Sequence, residues 1–199
     1  MKFLIAGDVH GDLNSLKHLA EKAKKEEVDA IILSGDFTYF DYLTKGTFKI
    51  LKDSGKKIFI VPGNHESLAT TDFVVKKYGV YSLHGYYFDF GDVAIFGAGG
   101  ANIGPNISTE KEMFSLLEKS FSKIKSNKKK IMITHDFPAK SLVEKITFAR
   151  GNQSLRKAID EFKPDFAVFS HMHEAAGIEE VIGNTKLICV GKEGIVINI

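Results

Sequence analysis

The 199-residue sequence predicts an α/β fold in which a parallel, helix-covered sheet carries a second sheet packed against it. Three observations lead there. Apolar runs alternate with helical patterns through the first half, in the order β-α-β-α-β. The second half is dominated by short strands and turns. Five apolar runs then end in a residue able to bind metal. Phe3–Ala6 leads through Gly7 to Asp8 and His10. Ala30–Ser34 leads through Gly35 to Asp36, and Ile58–Pro62 leads through Gly63 to Asn64 and His65. Ile131–Thr134 leads to His135, and Phe166–Ser170 leads to His171 and His173. Each run has the length and apolar density of a buried strand. Ligands bind beyond the C-terminal strand edge of open α/β sheets, so five such endings argue for one shared site.

Taken in order, Leu13, Leu16, Leu19, Ala20 and Ala23 recur at helical spacing after Asp12, which with Asn14 is a candidate cap. A strand from about Asp29 to Asp36 follows, then a helix over Tyr42–Lys52 weakened by Gly46, then the strand at Ile58. A short helix is expected over Thr70–Tyr78. Val80–Ser82, Tyr86–Phe90 and Val93–Phe96 read as short antiparallel strands, the last two joined at Gly91-Asp92. Ala98–Asn106 is a Gly-rich loop. Thr109 and Glu112 form a capping box opening a helix with Met113, Leu116, Leu117, Phe121 and Ile124. After the strand at Ile131, residues 136–150 have no clear form. Asn152–Phe162 is helical and Pro164 ends it. Strands close the chain at about Gly177–Val181, Lys186–Val190 and Ile195–Ile199.

The length suits one domain over residues 1–199 with a substantial core. A net charge of +2 excludes a strong general pull toward nucleic acid or membrane. The basic turn at Ser126–Lys130 has no interleaved aromatics and reads as a solvated loop. Cys189, the only cysteine, lies in an apolar run and reads as a buried thiol. There is no signal-peptide pattern after Met1-Lys2 and no apolar run of membrane-spanning length, so a reducing cytoplasm is the expected compartment.

Asp8 and His10 are spaced i, i+2, as are His171 and His173, and on an extended segment each pair faces one side. With Asp36, Asn64 and His135 they make seven candidate ligands, all oxygen or nitrogen donors. That set suits manganese first, with iron, zinc or nickel as alternatives. Seven donors are too many for one catalytic ion. They suit two ions bridged by a carboxylate, ~3.5–4 Å apart. His65, adjacent to Asn64, diverges from it and reads as a general acid beside the metals. Asp12, Glu66 and Asp136 are supporting or turn residues, and His18 and His84 structural ones. Tyr39 and Phe40 border the cleft or pack, and Arg150 is a weaker candidate for phosphate contact.

The segments Gly7-Asp8-Val9-His10-Gly11, Gly35-Asp36, Gly63-Asn64-His65-Glu66, Thr134-His135 and Ser170-His171-Met172-His173 resemble, in order and separation, the five blocks of the calcineurin-like metallophosphoesterases. The resemblance implies a sandwich of two mixed β-sheets flanked by helices. It puts Asp8, His10, Asp36 and His173 on one metal and Asp36, Asn64, His135 and His171 on the other, with Asp36 bridging and His65 as the catalytic histidine. Ser170 stands where the family usually has Gly, one proline (Pro138) follows the fourth block instead of two, and the second block lacks the Asp-Arg of protein phosphatases. The implied activity is phosphoester hydrolysis by a metal-bridging hydroxide. A phosphodiesterase is expected first, because the two arginines, Arg150 and Arg156, lie far from the second and third blocks. A phosphomonoesterase or protein phosphatase, a nuclease and a non-catalytic scaffold are the alternatives. Oligomeric state, native metal and physiological substrate are left open.

Overall fold

A computed structural model describes all residues, 1–199. The first half lays down β1 (Lys2–Ala6), α1 (Leu13–Lys25), β2 (Ala30–Leu33), α2 (Thr47–Lys52), β3 (Lys57–Ile60), α3 (Leu68–Tyr78) and β4 (Tyr81–Ser82). β5 (Tyr87–Asp89), β6 (Val93–Ala98), α4 (Glu110–Phe121), β7 (Lys129–Thr134), α5 (Leu142–Thr147), α6 (Gln153–Phe162) and β8 (Phe166–Phe169) follow. A 3-10 turn at His173–Ala175 leads to β9 (Glu179–Ile182), β10 (Thr185–Cys189) and β11 (Ile195–Asn198).

The strands form two mixed sheets. One has the order β11-β1-β2-β3-β4, the other β5-β6-β7-β8-β10-β9. β11 pairs antiparallel with β1, which returns the end of the chain to the first sheet. The alternation of side chains along β1 explains the layering. Phe3 and Ile5 enter the core between the sheets, with Ile32, Phe59, Ile95, Ile131, Ile133, Val168 and Ile188. Leu4 and Ala6 face the opposite way, against Leu16, Leu19 and Ala23 of α1 and Phe48 of α2. On the far side, Phe96, Met132 and Phe169 meet Met113 and Leu117 of α4 and Leu155 and Ile159 of α6. The inner strands are thus apolar on both faces, which is why the sequence shows continuous runs there instead of alternation. Each large side chain so buried contributes ~1.5–3 kcal/mol.

The capping predictions hold. Asp12 accepts the N–H groups of Asn14 and Ser15 at the start of α1, and Thr109 and Glu112 form the capping box of α4. Three expectations need correction. α2 starts only at Thr47, because Gly46 is its N-cap with φ 101° and Tyr42 to Lys45 form the approach loop. The unassigned segment contains α5, capped by Ser141 and too short for its period to stand out. β4 is parallel to β3 in the first sheet, not part of an antiparallel set, while β5 and β6 do pair antiparallel. No helix is long and apolar enough to cross a membrane.

Cys189 is buried on β10, and burial pushes its thiol up to about 12. The native chain is therefore expected to leave a thiol reagent unconsumed at pH 8 and to react with one equivalent once unfolded in denaturant. A fast one-equivalent reaction without denaturant would contradict this placement.

Candidate metal centre

All eight predicted site residues lie just past the C-terminal ends of β1, β2, β3, β7 and β8, so both sheets contribute to one edge. The backbone there is not extended. Asp8 (φ 56°), His10 (φ 44°), Asp36 (φ 51°) and His171 (φ 72°) all adopt the left-handed conformation. The expectation that each i, i+2 pair lies on an extended segment is thereby corrected. Asp8 and His10 still converge, whereas His171 and His173 part into different clusters. Main-chain hydrogen bonds hold these turns across strands. Asp8 N–H donates to Gly35 O (3.2 Å) and His10 N–H to Asp36 O (2.8 Å). Gly63 is obligatory in this arrangement, since a Cβ there would lie 2.0 Å from Asp36 Oδ1.

The donors fall into linked groups. Asp8, His10 and His173 form one; Asp36, His135 and His171 form another. His10, Asp36 and His65 form a third that joins them, so Asp36 is shared. His10 Nε2 and His173 Nε2 face each other at 3.3 Å. His135 Nε2 lies 3.0 Å from Asn64 Oδ1 and 3.5 Å from Asp36 Oδ1, which brings Asn64 into the second group. The other ring nitrogens are already engaged: His10 Nδ1 donates to Thr38 O (3.1 Å) and His135 Nδ1 to Ser34 O (2.9 Å). Such bonds fix each ring with Nε2 turned to the site, the usual preparation of a metal-binding histidine.

Charge makes the same demand. Asp8 and Asp36 are buried, and their ion pairs are all with histidines. Burial raises the Asp8 pKa against the opposing charge of His135. At Asp36 burial acts in the same sense, but the charge and hydrogen bond of His135 and the His65 N–H prevail and hold the carboxyl well below its usual range. The fully buried His135 answers to the same pair: burial would lower its pKa, and Asp36 with Asp8 drives it up to about 9. His171 is pushed down to about 4 by burial and by the nearby His135 charge. Without metal, then, a protonated His135 balances the acids. Nitrogen and carboxylate donors converging on common points, with no lysine or arginine paired to the acids, fit divalent cations.

His65 sits at the rim. Its Nδ1 accepts Phe40 N–H at 3.2 Å, which leaves the proton of the neutral ring on Nε2, 3.9 Å from Asp36 Oδ2. Burial lowers its pKa, and the Asp36 charge only partly offsets this. The left-handed Phe40 and Asp41 create that contact, a signal invisible in residue spacing.

Glu66 emerges as the support of the site. Its buried carboxylate accepts the N–H groups of Asp36 (2.9 Å), Gly63 (2.7 Å) and Thr38 (2.7 Å) and the Thr38 hydroxyl (2.7 Å). Burial and the Asp36 charge raise its pKa to about 7 while those donors oppose. Asp136 accepts from Asn102, Phe137 and Asn152 behind His135. Ser170 uses its hydroxyl, donating to Ser34 O at 2.9 Å. His84 Nδ1 accepts Gly99 N–H at 2.9 Å, and His18 is an exposed helix residue, so neither joins the donor groups. Of the two arginines, Arg156 pairs with Asp160 along α6, and the Arg150 carbonyl accepts from Asn102.

A model of the calcineurin-like phosphoesterase family matches residues 1–175. The chain belongs to that family. This phosphoesterase resembles TT1561 of Thermus thermophilus, with TM-score 0.76 and 18% identity over 96% of this chain and 90% of that one. It also resembles the phosphopantetheinyl hydrolase of Mycobacterium tuberculosis (TM-score 0.64, 15% identity, 96% and 90% covered) and a novel archaeal phosphodiesterase (TM-score 0.57, 16% identity, 96% and 84% covered). At these identities the likeness is one of fold. The catalytic subunit of serine/threonine-protein phosphatase 4 from Eremothecium gossypii is 31% identical over 104 residues, 47% of this chain and 34% of that protein. The phosphoesterase thus matches about a third of that relative's length. The family is one of hydrolases acting on phosphoester bonds.

Replacing Glu66 by Gln presents an amide nitrogen either to the Asp36 and Gly63 N–H groups or to the Thr38 N–H and hydroxyl, so a buried N–H loses its acceptor in both orientations. Glu66→Gln is expected to destabilise the metal-free protein by ~2–4 kcal/mol, read as a shift in the urea midpoint. A midpoint equal to wild type would show that Glu66 does not hold the site loops together.

Proposed function

We propose that the chain is a two-metal phosphodiesterase. The observation that carries this is the pair of donor clusters, Asp8–His10–His173 and Asp36–His135–His171, linked at one edge of the sandwich by a third that contains His10 and Asp36. Asp8, His10, Asp36 and His173 would hold one ion and Asp36, Asn64, His135 and His171 the other, with Mn2+ as the first choice. Two such ions, when bound, supply positive charge for the phosphoryl oxygens and acidify a water. The chain's own part is to fix the donor rings through Thr38 O and Ser34 O and to give up the His135 proton on loading. His65 completes the site: the Phe40 amide holds its ring through Nδ1, and its Nε2–H would hydrogen-bond the leaving oxygen and stabilise the negative charge that develops there.

The surroundings support a diester. On the Asp8–His10–His173 side lies a groove of about 540 Å³, walled by Asp12, Lys192 and the Gly191–Gly194 turn. His10 also packs edge-on against Tyr39 and His65, and Phe40 stands against His65. A phosphodiester has two organic arms and one negative charge, so it uses both flanks and needs little clamping. Arg156 is occupied on α6 and the groove contains no arginine. The similarity to a serine/threonine phosphatase keeps monoester hydrolysis as the second reading.

With Mn2+ present, a bis-nitrophenyl phosphodiester is expected to be turned over with higher kcat/KM than the nitrophenyl monoester, and chelator should abolish both. A monoester preference that vanishes in Arg150→Ala would reverse the assignment. Separately, His65→Asn should retain its metal content and lose ~10²–10⁴-fold in rate on an ester with a poor leaving group, less with nitrophenolate. Equal losses on both esters would remove His65 from its role at the leaving oxygen.

A further inference from the structure

Residues 39–42 form a tight turn closed by Tyr39 N–H to Tyr42 O (3.2 Å) and Tyr42 N–H to Tyr39 O (3.0 Å). Its central residues, Phe40 (φ 49°) and Asp41 (φ 62°), have the φ pair of a type I′ turn. That turn favours Asn and Gly, and a bulky aromatic at its first central position is an outlier. Three contacts impose it here: Phe40 N–H to His65 Nδ1, Asp41 N–H to His65 O and Ser67 N–H to Asp41 Oδ1. The result is a pair of rings, Tyr39 and Phe40, 4.7 Å apart and nearly perpendicular. Their centroids lie 5.3 and 4.4 Å from the His65 ring. Although both rings touch His65, each remains 56% exposed, so packing does not account for them. Strained backbone that displays apolar rings at a functional site points to a ligand.

We infer that Tyr39 and Phe40 form a stacking subsite for the planar ring of the leaving arm, a nucleobase. The inference rests on the two-metal reading, because the side of the site next to His65 is the side from which the leaving group departs. A base offers a flat π-face to these rings whatever its identity, so the subsite selects for the presence of a base and not for its sequence.

The test compares adenosine 5′-monophosphate with ribose 5-phosphate as competitive inhibitors of the Mn-loaded protein. The two share the phosphate and sugar and differ by the base. The base is expected to tighten binding ~5–150-fold, the range for one stacked base. Tyr39→Ala and Phe40→Ala should each cut most of that ratio, and Tyr39→Phe should keep it. Ligand-observed NMR should show saturation transfer to the adenine protons in wild type and lose it in the alanine variants. Tyr39 makes no hydrogen bond to His65, so its variant carries the test if Phe40→Ala does not fold. Equal inhibition by the two ligands in wild type would overturn the subsite, as would an advantage that survives Tyr39→Ala. Tighter binding of phenyl phosphate than of adenosine 5′-monophosphate would also overturn the nucleobase assignment. Inorganic phosphate is the control for the underlying reading: Mn-dependent inhibition by phosphate upholds the metal site even when the base adds nothing, and its absence overturns both.

Discussion

Two carboxyl groups, Asp8 and Asp36, are buried where the two sheets meet, with only histidines as ion-pair partners. Taking a charge out of water costs several kcal/mol unless donors or counter-charge replace the lost solvent. Much of the local structure answers that demand. His171 N–H donates to both oxygens of Asp8 (3.3 and 3.1 Å), and His65 N–H donates to Asp36 Oδ1 (3.0 Å). His135 supplies positive charge from the second sheet. A third acid, Glu66, is buried nearby but solves its own problem with four protein donors. That difference separates a carboxylate satisfied by protein donors from two that lie in the candidate metal clusters.

The same demand explains the backbone. To aim side chains from five strands at common points, the chain turns sharply just past the ends of β1, β2 and β8. Asp8, His10, Asp36 and His171 do so in the left-handed region, at ~1–2 kcal/mol each relative to the right-handed one. Such conformations persist only where the surroundings over-determine them. Here the inter-sheet core fixes the strand ends, and cross-strand bonds from Asp8 to Gly35 and from His10 to Asp36 fix the turns. A Cβ at Gly7 would lie 2.4 Å from Ser170 Oγ and 2.5 Å from Ser34 Oγ, which shows how closely the two sheets approach beneath the site. Metal-type geometry is thus a by-product of close sheet packing, and part of the stability of the core is spent on it.

How much of this was legible in the sequence depended on whether a signal was local. Continuous apolar runs revealed the inner strands because both faces are buried. The terminal Asp, Asn and His residues revealed the site because all of them sit on the same edge. The divergence of His171 from His173 was implied by the family resemblance but was not legible in the local spacing, since it depends on one φ of 72° that a histidine rarely adopts. Nor was the late start of α2: the apolar residues from Tyr42 onward match a helical period, but Gly46 acts as a cap instead of an interior defect. Glu66 gave a trace of its role by standing two residues after Asn64, yet its partners on the neighbouring loop come from the fold. The Phe40–His65 hydrogen bond left no trace, because a backbone amide carries no residue identity.

That hydrogen bond also gives the site its asymmetry. A backbone N–H directed at Nδ1 cannot accept a proton, so it favours the neutral ring with hydrogen on Nε2 and disfavours the doubly protonated form. A carboxylate in the same place would do the opposite, stabilising an imidazolium. The second block of this chain lacks the Asp-Arg of the protein phosphatases and has Phe37, Thr38 and Tyr39 after Asp36. In this chain the main chain of Phe40 positions His65. Because the same residue supplies both the amide that orients His65 and an exposed ring beside it, the placement of His65 and the aromatic surface next to it are coupled through one turn. The groove bounded by Lys192 and the Gly191–Gly194 turn shares no residue with that turn. Changes in the groove lining leave the Phe40–His65 contact in place, whereas changes at residues 39–42 alter the contact and the ring pair together.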